Sequence, residues 1–507
     1  MLFNKILIVL FTLFICLPSQ AQSNFDYVWL MGNPPNIPNQ GYGGVKINFN
    51  TPNQEPLIQY YYVADYDLSV TLTNICNAVG EPQFQTNGCV VINNEQQKMQ
   101  NGDSLNFPGQ AFEDACNFNF SYGPRRSTIA LPYPNKENKY IIFHQRFDFV
   151  SHPFPYYQTE SLLYTTIDME KNNGLGAVIS KNQLLLNDTL CDMTSAVRHA
   201  NGRDWWIVIP KFNSNQSFVL LLTPLGIETY SKEMPLAWPG DLDNFWYEQS
   251  VFSADGTKYA RINGANGIQI FEFDRCNGDF YNGISLLPLP NGSTSGIAFS
   301  PNNRFLYATN GYDIYQYDTQ GLDVQGSATL VASYDGFLSP LPTTFNQMQI
   351  GPNGKIYINS TNGVSSLHVI ENPNVQGINC NVEQHIISLP GIIGVSLPNF
   401  PDFRLGADHN SECDTIVTNS NSLDKQVINI YIQPNPASEY FNLNFIPSSL
   451  LLNVDLFNSC GQKVLHLESA KNGDIINISN LPVGLYFITF FDSNKTILTK
   501  KIAINRQ

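Results

Sequence analysis

A short turn followed by an aromatic or aliphatic strand recurs through the chain, and this repeat limits the possible folds more than any other feature. The copies begin at Ser253, Ser300 and Gly351, more weakly at His199, and more distantly at Pro134 and Asn77. The equivalent turn positions are Gly202, Gly256, Asn303 and Gly354, which stand 54, 47 and 51 residues apart. A β repeat with a period of ~40–50 residues is typical of propeller blades.

The local pattern around each repeat is that of strands and tight turns. Asn or Gly supplies the positive φ that a hairpin connection needs, and the following β-branched and aromatic residues bury one face of a strand. Between residues 40 and 404 no convincing amphipathic helix is found, because apolar residues come in short alternating runs. We therefore expect an all-β ring of small sheets, since no single sheet can cover both of its faces alone.

The number of blades follows from what the repeats leave over. The six repeats leave an early segment, Gly43–Phe49, and a late segment, Leu397–Phe403. We expect these two to join into one closing blade made from both ends of the domain. The fold class predicted is a seven-bladed β-propeller over residues 22–404, with six or eight blades as alternatives, followed by a small C-terminal Ig-like β-sandwich.

The N-terminal end is typical of an export signal. Lys5 precedes an apolar run from Ile6 to Leu17, and small residues stand at Ser19 and Ala21. This order of charged, apolar and small residues predicts a signal peptide over residues 1–21, cleaved after Ala21. No later segment reaches the ~20 consecutive apolar residues of a membrane helix, so no transmembrane segment is expected in the mature chain.

Composition excludes some partners and favours an extracellular protein. The formal net charge is −15 with only 27 basic residues, which argues against binding nucleic acid or anionic lipid. Charged residues make up 14% of the chain, against ~25% in a typical soluble domain, whereas Asn, Gly and aromatic residues are plentiful. This composition is typical of a turn-rich, all-β, exported protein.

The cysteines predict a disulfide and no metal site. An oxidising destination permits disulfides, and none of the cysteines has CxxC spacing. Cys76 and Cys89 flank a predicted tight turn, so a bridge between them is the one pairing that the sequence indicates.

No catalytic, cofactor or metal residue is predicted. The seven histidines are scattered, and Ser195 and His199 are neighbours on one strand at a spacing too wide for a nucleophile and its base. The carboxylates of Asp65-Tyr-Asp67 and Asp241-Leu-Asp243 are suited to calcium, but neither forms a full loop of ligands, and solvated turns are favoured. Four aromatic clusters suit either a carbohydrate-binding surface or blade packing, and packing is favoured for most of them. They are Trp205–Trp206, Phe245–Tyr247, Tyr60–Tyr62 and Phe154–Tyr157.

The C-terminal end has its own strand pattern. Residues 405–426 are polar and predict a linker, and residues 427–507 carry seven short strands at the spacing of a small β-sandwich. The motif residues in this region are Pro434, Asn435, Pro436, Gly461, Lys463, Gly484 and Tyr486, followed by a terminal strand at Lys500–Ile504. This region resembles the type A sorting domain of the type IX secretion system. The resemblance implies recognition by the type IX secretion machinery at the outer membrane.

A second resemblance covers most of residues 40–404. Its phrases are Met99–Gly102, Ala196–Gly202, Gln349–Tyr357, Ile370–Asn374 and Leu397–Phe400. They resemble propeller regions of secreted surface proteins from gliding-type bacteria, which implies a fold and an export route but no catalytic residues. We therefore expect a secreted or surface protein whose propeller binds a glycan or protein partner. The alternatives are a secreted enzyme acting on polysaccharide or peptide, and a scaffold within a surface assembly.

Overall fold

The computed structural model divides the chain into two compact units, residues 1–416 and 417–507. It describes residues 23–34, 41–63, 66–150, 156–239, 248–290, 296–414, 429–446, 451–459, 461–492 and 495–506. The predicted signal peptide, with its cleavage site at Ala21, lies outside these residues. The structure is nearly all-β: within the described residues the α-helix α1 spans Gln110–Cys116, and 3-10 helices span Asn172–Gly174, Gly377–Cys380 and Glu412–Asp414.

Within the described residues, the first unit contains seven small antiparallel sheets, each a simple meander. We number them 1 to 7 in chain order. Sheet 1 is β1 (Val28–Asn33), β2 (Gly43–Asn48) and β3 (Leu57–Tyr61); sheet 2 is β4 (Thr73–Cys76), β5 (Pro82–Thr86) and β6 (Val91–Asn93). Sheet 3 is β7 (Thr128–Pro132), β8 (Lys139–Val150), β9 (Tyr156–Asp168) and β10 (Ala177–Asn187). Sheet 4 is β11 (Ser195–Arg198), β12 (Trp205–Pro210), β13 (Ser214–Thr223) and β14 (Gly226–Trp238). Sheet 5 is β15 (Gln249–Phe252), β16 (Lys258–Asn263), β17 (Gly267–Asp274) and β18 (Asp279–Leu286). Sheet 6 is β19 (Gly296–Phe299), β20 (Phe305–Thr309), β21 (Asp313–Asp318) and β22 (Thr329–Ser333). Sheet 7 is β23 (Met348–Ile350), β24 (Ile356–Ile358), β25 (Val364–Ile370) and β26 (Val382–Ile393).

The recurrent turns predicted from sequence connect the first and second strands of sheets 2 to 7. In the four best copies the turn residue has positive φ, at +69° for Gly202, +71° for Gly256, +61° for Asn303 and +77° for Gly354. Each of these four donates its backbone N–H to the carbonyl three residues earlier, at 2.8–2.9 Å. The predicted turn chemistry is confirmed, because Gly and Asn adopt this backbone conformation at least cost.

Successive sheets contact one another, and the seventh contacts the first. The first strands of neighbouring sheets lie together, for example β4 beside β7, β11 beside β15, and β19 beside β23. Sheets 3 and 4 are joined by a parallel bridge between Arg126 and Met193. The last strand, β26, packs against all three strands of sheet 1.

Burial follows this arrangement along each sheet. The first two strands of sheet 6 are buried throughout, whereas outer strands such as β14 carry many exposed residues. A strand buried on both faces needs a continuous apolar or small-residue run, as in Phe305–Thr309, and a strand at the outer edge needs alternation. The core of the unit therefore lies where the inner strands meet.

The prediction of a closing blade made from both ends of the domain is wrong. Gly43–Asn48 is the middle strand of sheet 1, whose other strands come from the same N-terminal part of the chain. Leu397–Phe403 is not a strand, and it forms no part of that sheet. The N-terminal segment completes its own sheet because Val28–Asn33, which the repeat pattern does not cover, supplies the innermost strand.

The disulfide prediction is also wrong. Cys89 is bonded to Cys116 at the end of α1, while Cys76 is a buried free thiol. The turn after Cys76 pairs it with Pro82, so the whole of β5 separates it from Cys89, which lies beyond the other end of that strand. A second disulfide joins Cys276 to Cys413.

The second disulfide holds the start of the predicted linker, residues 405–426, against the first unit. Residues 405–414 are fastened to the first unit, since Arg275 Nη2 donates to the carbonyl of Gly406 at 2.5 Å and Asp408 donates its N–H to Ala200 at 2.8 Å. The remainder of the predicted linker lies outside the described residues.

In its described residues, the second unit contains two sheets with a common apolar core. One sheet is β27 (Asn429–Gln433), β28 (Tyr440–Ile446) and β31 (Ile475–Asn477). The other is β29 (Leu451–Asn458), β30 (Lys463–Lys471), β32 (Gly484–Asp492) and β33 (Lys495–Ile504), in the spatial order β30-β29-β32-β33. These are the seven strands that the sequence pattern predicted. Alternating apolar residues such as Leu452, Val454 and Leu456 form the core.

Candidate functional site

An extended segment, residues 395–404, runs along the inner strands of the first unit, and we call it the central segment. Val395 donates its N–H to the Ser69 carbonyl at 2.8 Å. Asn399 Nδ2 donates to the carbonyls of Thr128, at 3.2 Å, and Thr194, at 2.8 Å. A single side chain thus binds the inner edges of sheets 3 and 4, which explains why this segment is held in place without joining a sheet.

A cavity of about 380 Å³ lies beside the central segment. Its walls come from the inner strands of sheets 3 to 7, with Ile129 contributed by sheet 3, and from the end of the central segment together with Leu405. Three of the recurrent turns also line it, through Ala254, Pro301 and Gly354. The sequence repeat therefore supplies part of the cavity wall, because the same turn recurs at the same place in each sheet.

An ion pair joins the beginning and end of the first unit at the cavity wall. Arg404 Nη1 lies 2.8 Å from Asp26 Oδ1, and Arg404 Nη2 lies 3.0 Å from Asp26 Oδ2. Arg404 Nε also lies 3.2 Å from a carboxylate oxygen of Asp402. Burial raises the pKa of Asp26, and the facing guanidinium opposes that rise. The fork geometry of arginine suits such a bidentate pair.

A second arginine at the cavity, Arg126, has different surroundings. Its side chain is almost completely buried, and its guanidinium donates to Asn399 Oδ1 at 3.1 Å and to the Met348 carbonyl at 3.3 Å. Its Nε is buried without a hydrogen-bond partner. Burial lowers the pKa of Arg126 to about 9. No carboxylate among the described residues forms an ion pair with it.

Ser195 and His199, the serine–histidine pair considered from the sequence, do not act together. Ser195 lines the cavity, and its hydroxyl accepts a hydrogen bond from Ser250 at 3.3 Å. His199 Nε2 lies 3.0 Å from the Cys276 carbonyl, and its Nδ1 accepts the N–H of Asn201 at 3.0 Å. Both ring nitrogens are thus engaged away from the serine.

The aromatic clusters differ in burial. Trp205 and Trp206 are buried, and the guanidinium of Arg198 stacks 3.8 Å from the Trp205 ring centroid. This pair serves packing, while Tyr62 is exposed. Phe245–Tyr247, Phe154 and the carboxylates Asp65, Asp241 and Asp243 lie outside the described residues. Asp67 binds the backbone N–H and hydroxyl of Ser69 at 2.8 and 2.6 Å.

Two observations bear on metals and membranes. In the part of the chain that the structure describes, no three His, Cys, Asp or Glu side chains come together as candidate metal ligands. Among the same residues, no helix has the length and apolar character needed to span a bilayer.

The motif residues of the second unit hold its last strand in place. Asn435, between Pro434 and Pro436, donates through Nδ2 to the Lys501 carbonyl at 3.0 Å and accepts the N–H of Ala503 at 2.9 Å. The N–H of Ala437 donates to the Ala503 carbonyl at 2.8 Å. The loop after β27 is thereby fastened to β33, which belongs to the other sheet.

The other motif residues occupy turns and strand starts. Gly461 has φ +77° in the turn before Lys463, and Lys463 Nζ lies 3.4 Å from Asp455 Oδ2. Gly484 begins β32, and the Tyr486 hydroxyl donates to the Pro482 carbonyl at 2.8 Å. The positive φ of Gly461 and the hydroxyl hydrogen bond of Tyr486 are roles that their residue types explain.

Sequence reasoning missed several residues of both units. In the second unit Arg506 donates to the carbonyls of Ile478 at 3.1 Å and Leu481 at 2.7 Å, capping the loop before β32. In the first unit it missed Asp26, Arg126 and Arg404. The Arg125-Arg126 pair, in a chain with few basic residues, was the one available signal.

The comparisons with known proteins concern the C-terminal unit most directly. Residues 429–505 match the family model described as a secretion system C-terminal sorting domain. This match confirms the predicted sorting domain and supports type IX secretion and a cell-surface location. Among curated proteins, none matches this sequence.

Similar solved structures align over much of the chain at low identity. PorZ, a surface component of the type IX secretion system of Porphyromonas gingivalis, is 9% identical with a TM-score of 0.29, covering 92% of this chain and 68% of its own. A functionally unknown protein of Desulfotomaculum acetoxidans is 14% identical with a TM-score of 0.35, covering 74% of this chain and 99% of its own. The Dos1 propeller is 10% identical with a TM-score of 0.31, covering 62% and 72%.

Proposed function

We propose that this chain is an exported surface protein, delivered by the type IX machinery, whose larger unit binds a glycan or protein partner. The observation that carries the proposal is the sorting-domain match over residues 429–505, which coincides with a separately folded unit. A leader at residues 1–21, cleaved after Ala21, would bring the chain to the first export step. Two disulfides in the larger unit are in keeping with an oxidising destination.

The architecture that we propose for the larger unit is a seven-bladed β-propeller. Its support is the order of contacts, in which the described sheets succeed one another and sheet 7 meets sheet 1. For the second unit we propose an Ig-like sandwich, on the basis of two sheets sharing one apolar core. The Asp26–Arg404 pair and the central segment would then close the propeller.

The binding role is supported by the cavity beside the central segment. Its volume of about 380 Å³ falls within the ~300–1,000 Å³ typical of ligand pockets. Apolar walls with a few convergent polar groups are the usual composition of such sites. The cavity opens among the recurrent turns, where a surface partner has access.

The export part of this proposal is tested by removing the sorting domain in a host that has type IX machinery. We expect the full chain at the cell exterior and a chain lacking residues 429–505 in the periplasm, measured by fractionation and by protease accessibility on intact cells. A matched control replaces Tyr440, an exposed surface residue of β28, with Ser and should be exported normally. Equal surface delivery of the truncated chain would refute the proposed route.

A further inference from the structure

The cavity beside the central segment has an unusual distribution of charge. Four charged side chains line it: Asp26, Arg126, Asp402 and Arg404. Arg404 is paired with both carboxylates, at 2.8 Å from Asp26 and 3.2 Å from Asp402. The remaining cation, Arg126, has only neutral partners, namely amide and carbonyl oxygens.

Because Arg126 is buried, the lack of a charged partner costs free energy. Its relative exposure is 2%, and its Nε has no hydrogen-bond partner although it is buried. A buried charge is normally paired, because neutral dipoles replace water only in part. The consequence is a cationic donor at the cavity wall with one unused N–H group.

Other polar groups of the cavity can assist an anion. The hydroxyls of Ser195 and Ser250 line the same space, 3.3 Å apart, and Ser250 donates to Ser195. The Asn399 amide is already used, because its N–H groups donate to the Thr128 and Thr194 carbonyls and its oxygen accepts from Arg126. The Ser195 hydroxyl and the Arg126 guanidinium are therefore the groups that can donate to a carboxylate oxygen.

The remaining walls determine what else the ligand carries. They include Ile129, Val251, Phe252, Phe299 and Phe400, which are apolar. The two arginines and two aspartates of the lining sum to zero charge, so a dianionic phosphate would add two negative charges to an apolar enclosure, whereas a monocarboxylate adds one and meets Arg126 directly. A monoanion with a small apolar or weakly polar body fits both features.

We infer that this cavity binds a small monocarboxylate, with its carboxylate against Arg126 and its body among the apolar side chains. The partly exposed turn residues Ala254, Pro301 and Gly354 form the solvent side, and Arg126 lies on the buried side. The carboxylate can belong to a free organic acid, an acidic sugar or a peptide C-terminus. This inference deepens the proposed binding role and does not depend on the export route.

The test uses purified full-length protein and three pairs of probes, each an acid with its neutral counterpart. The pairs are 3-phenylpropionate with 3-phenylpropionamide, glucuronate with glucose, and N-acetyl-Ala-Ala as free acid with its C-terminal amide. Binding is measured by calorimetry at low salt. We expect one acid or more to bind at 1:1 stoichiometry, with its neutral counterpart at least tenfold weaker. The pair that responds identifies the source of the carboxylate.

Three variants complete the design. Arg126→Gln should weaken acid binding at least tenfold, and Ala254→Trp, which obstructs the solvent side and leaves Arg126 intact, should abolish it. Arg304→Gln removes an arginine outside the cavity and should bind as the wild type does. If Arg126→Gln does not fold, as judged by circular dichroism, Ala254→Trp and the acid–neutral comparison decide.

The inference is overturned if no acid binds, if acid and neutral probes bind equally, or if the folded Arg126→Gln or Ala254→Trp variant binds like the wild type. These failures differ from a failure of the export proposal, because the purified protein is measured without reference to its location.

Discussion

In each unit, a residue near the start of the unit is bonded to residues near its end. We call this attachment the closure of the unit, and the two closures differ in chemistry. In the larger unit Arg404 forms an ion pair with Asp26, whose side chain is 2% exposed. In the smaller unit the neutral amide of Asn435 binds two backbone groups of β33 at an exposed position. A buried carboxylate such as that of Asp26 needs an opposite charge beside it, whereas backbone groups at an exposed position can be bound by the neutral amide of Asn435.

The strongest test of this difference removes the charge pair. Arg404→Leu leaves the Asp26 carboxylate buried without its bidentate partner, so we expect the larger unit to lose about 3–5 kcal/mol of unfolding free energy. The measurement is urea unfolding followed by tryptophan fluorescence, because all five tryptophans lie in the larger unit.

The matched control is Arg304→Leu, which breaks the pair between Arg304 and Asp318, where the arginine side chain is 44% exposed. Arg304→Leu should lower the free energy of unfolding far less than Arg404→Leu does. If the two variants were equally stable, the Asp26–Arg404 pair would not be what closes the unit.

A second test uses pH, because the larger unit also buries neutral imidazoles. His144 is fully buried, with Nδ1 2.7 Å from Asn106 Oδ1 and Nε2 2.9 Å from the Thr165 hydroxyl oxygen. Burial, assisted by Arg146, lowers its pKa to about 3. Burial also lowers the pKa of His368 to about 4.

The direction of the pH effect follows from these values. His144 takes up a proton near pH 6.5 in the unfolded chain but only near pH 3 in the folded protein. The stability that the neutral imidazole contributes is therefore complete above pH 6.5 and is lost as the pH falls from 6.5 towards 3. Between pH 6.5 and 4.5, His144 should contribute a loss of roughly 2–3 kcal/mol. His144→Gln should remove that part of the loss in urea unfolding by tryptophan fluorescence.

The control for this experiment is His409→Gln, which removes a surface imidazole whose side chain is 78% exposed. This variant should keep the wild-type loss between pH 6.5 and 4.5. If His144→Gln lost as much unfolding free energy as the wild type between pH 6.5 and 4.5, His144 would take up its proton at the same pH in the folded and unfolded protein.

The two closures also differ in how far sequence could predict them. Asn435 lies in a local motif, Pro434–Pro436, that the sequence displays directly. Arg126 and Asn399 are 273 positions apart, and no local pattern joins them. Turn chemistry is a property of three or four residues, so the turns at Gly256 and Gly354 were predictable. The cavity is assembled from five sheets, and it was not predictable.

The same reasoning explains the two errors. The Cys76–Cys89 bridge was inferred from a turn that lies between them, but the strand after that turn carries Cys89 away from Cys76. The late segment Leu397–Phe403 has a large apolar residue at every third position, Leu397, Phe400 and Phe403, and all three are buried. Its backbone nevertheless joins no sheet. Apolar spacing indicates which residues are buried, and it does not specify whether the backbone pairs in a ladder.

The smallest expected effect concerns the exposed closure. Asn435→Ala removes both side-chain hydrogen bonds to β33, and we expect a loss of about 1–2 kcal/mol in the smaller unit. Hydrogen exchange should show faster exchange at Ala503 and its neighbours in β33, because the strand loses its attachment to the loop after β27. The tryptophan transition should stay unchanged, since that signal arises in the larger unit. Asn458→Ala, which alters a partly buried Asn at the turn near Gly461, serves as the control and should leave exchange in β33 unaffected. Unchanged exchange in Asn435→Ala would mean that the ladder between β32 and β33 and the backbone pair between Ala437 and Ala503 hold the strand without the asparagine side chain.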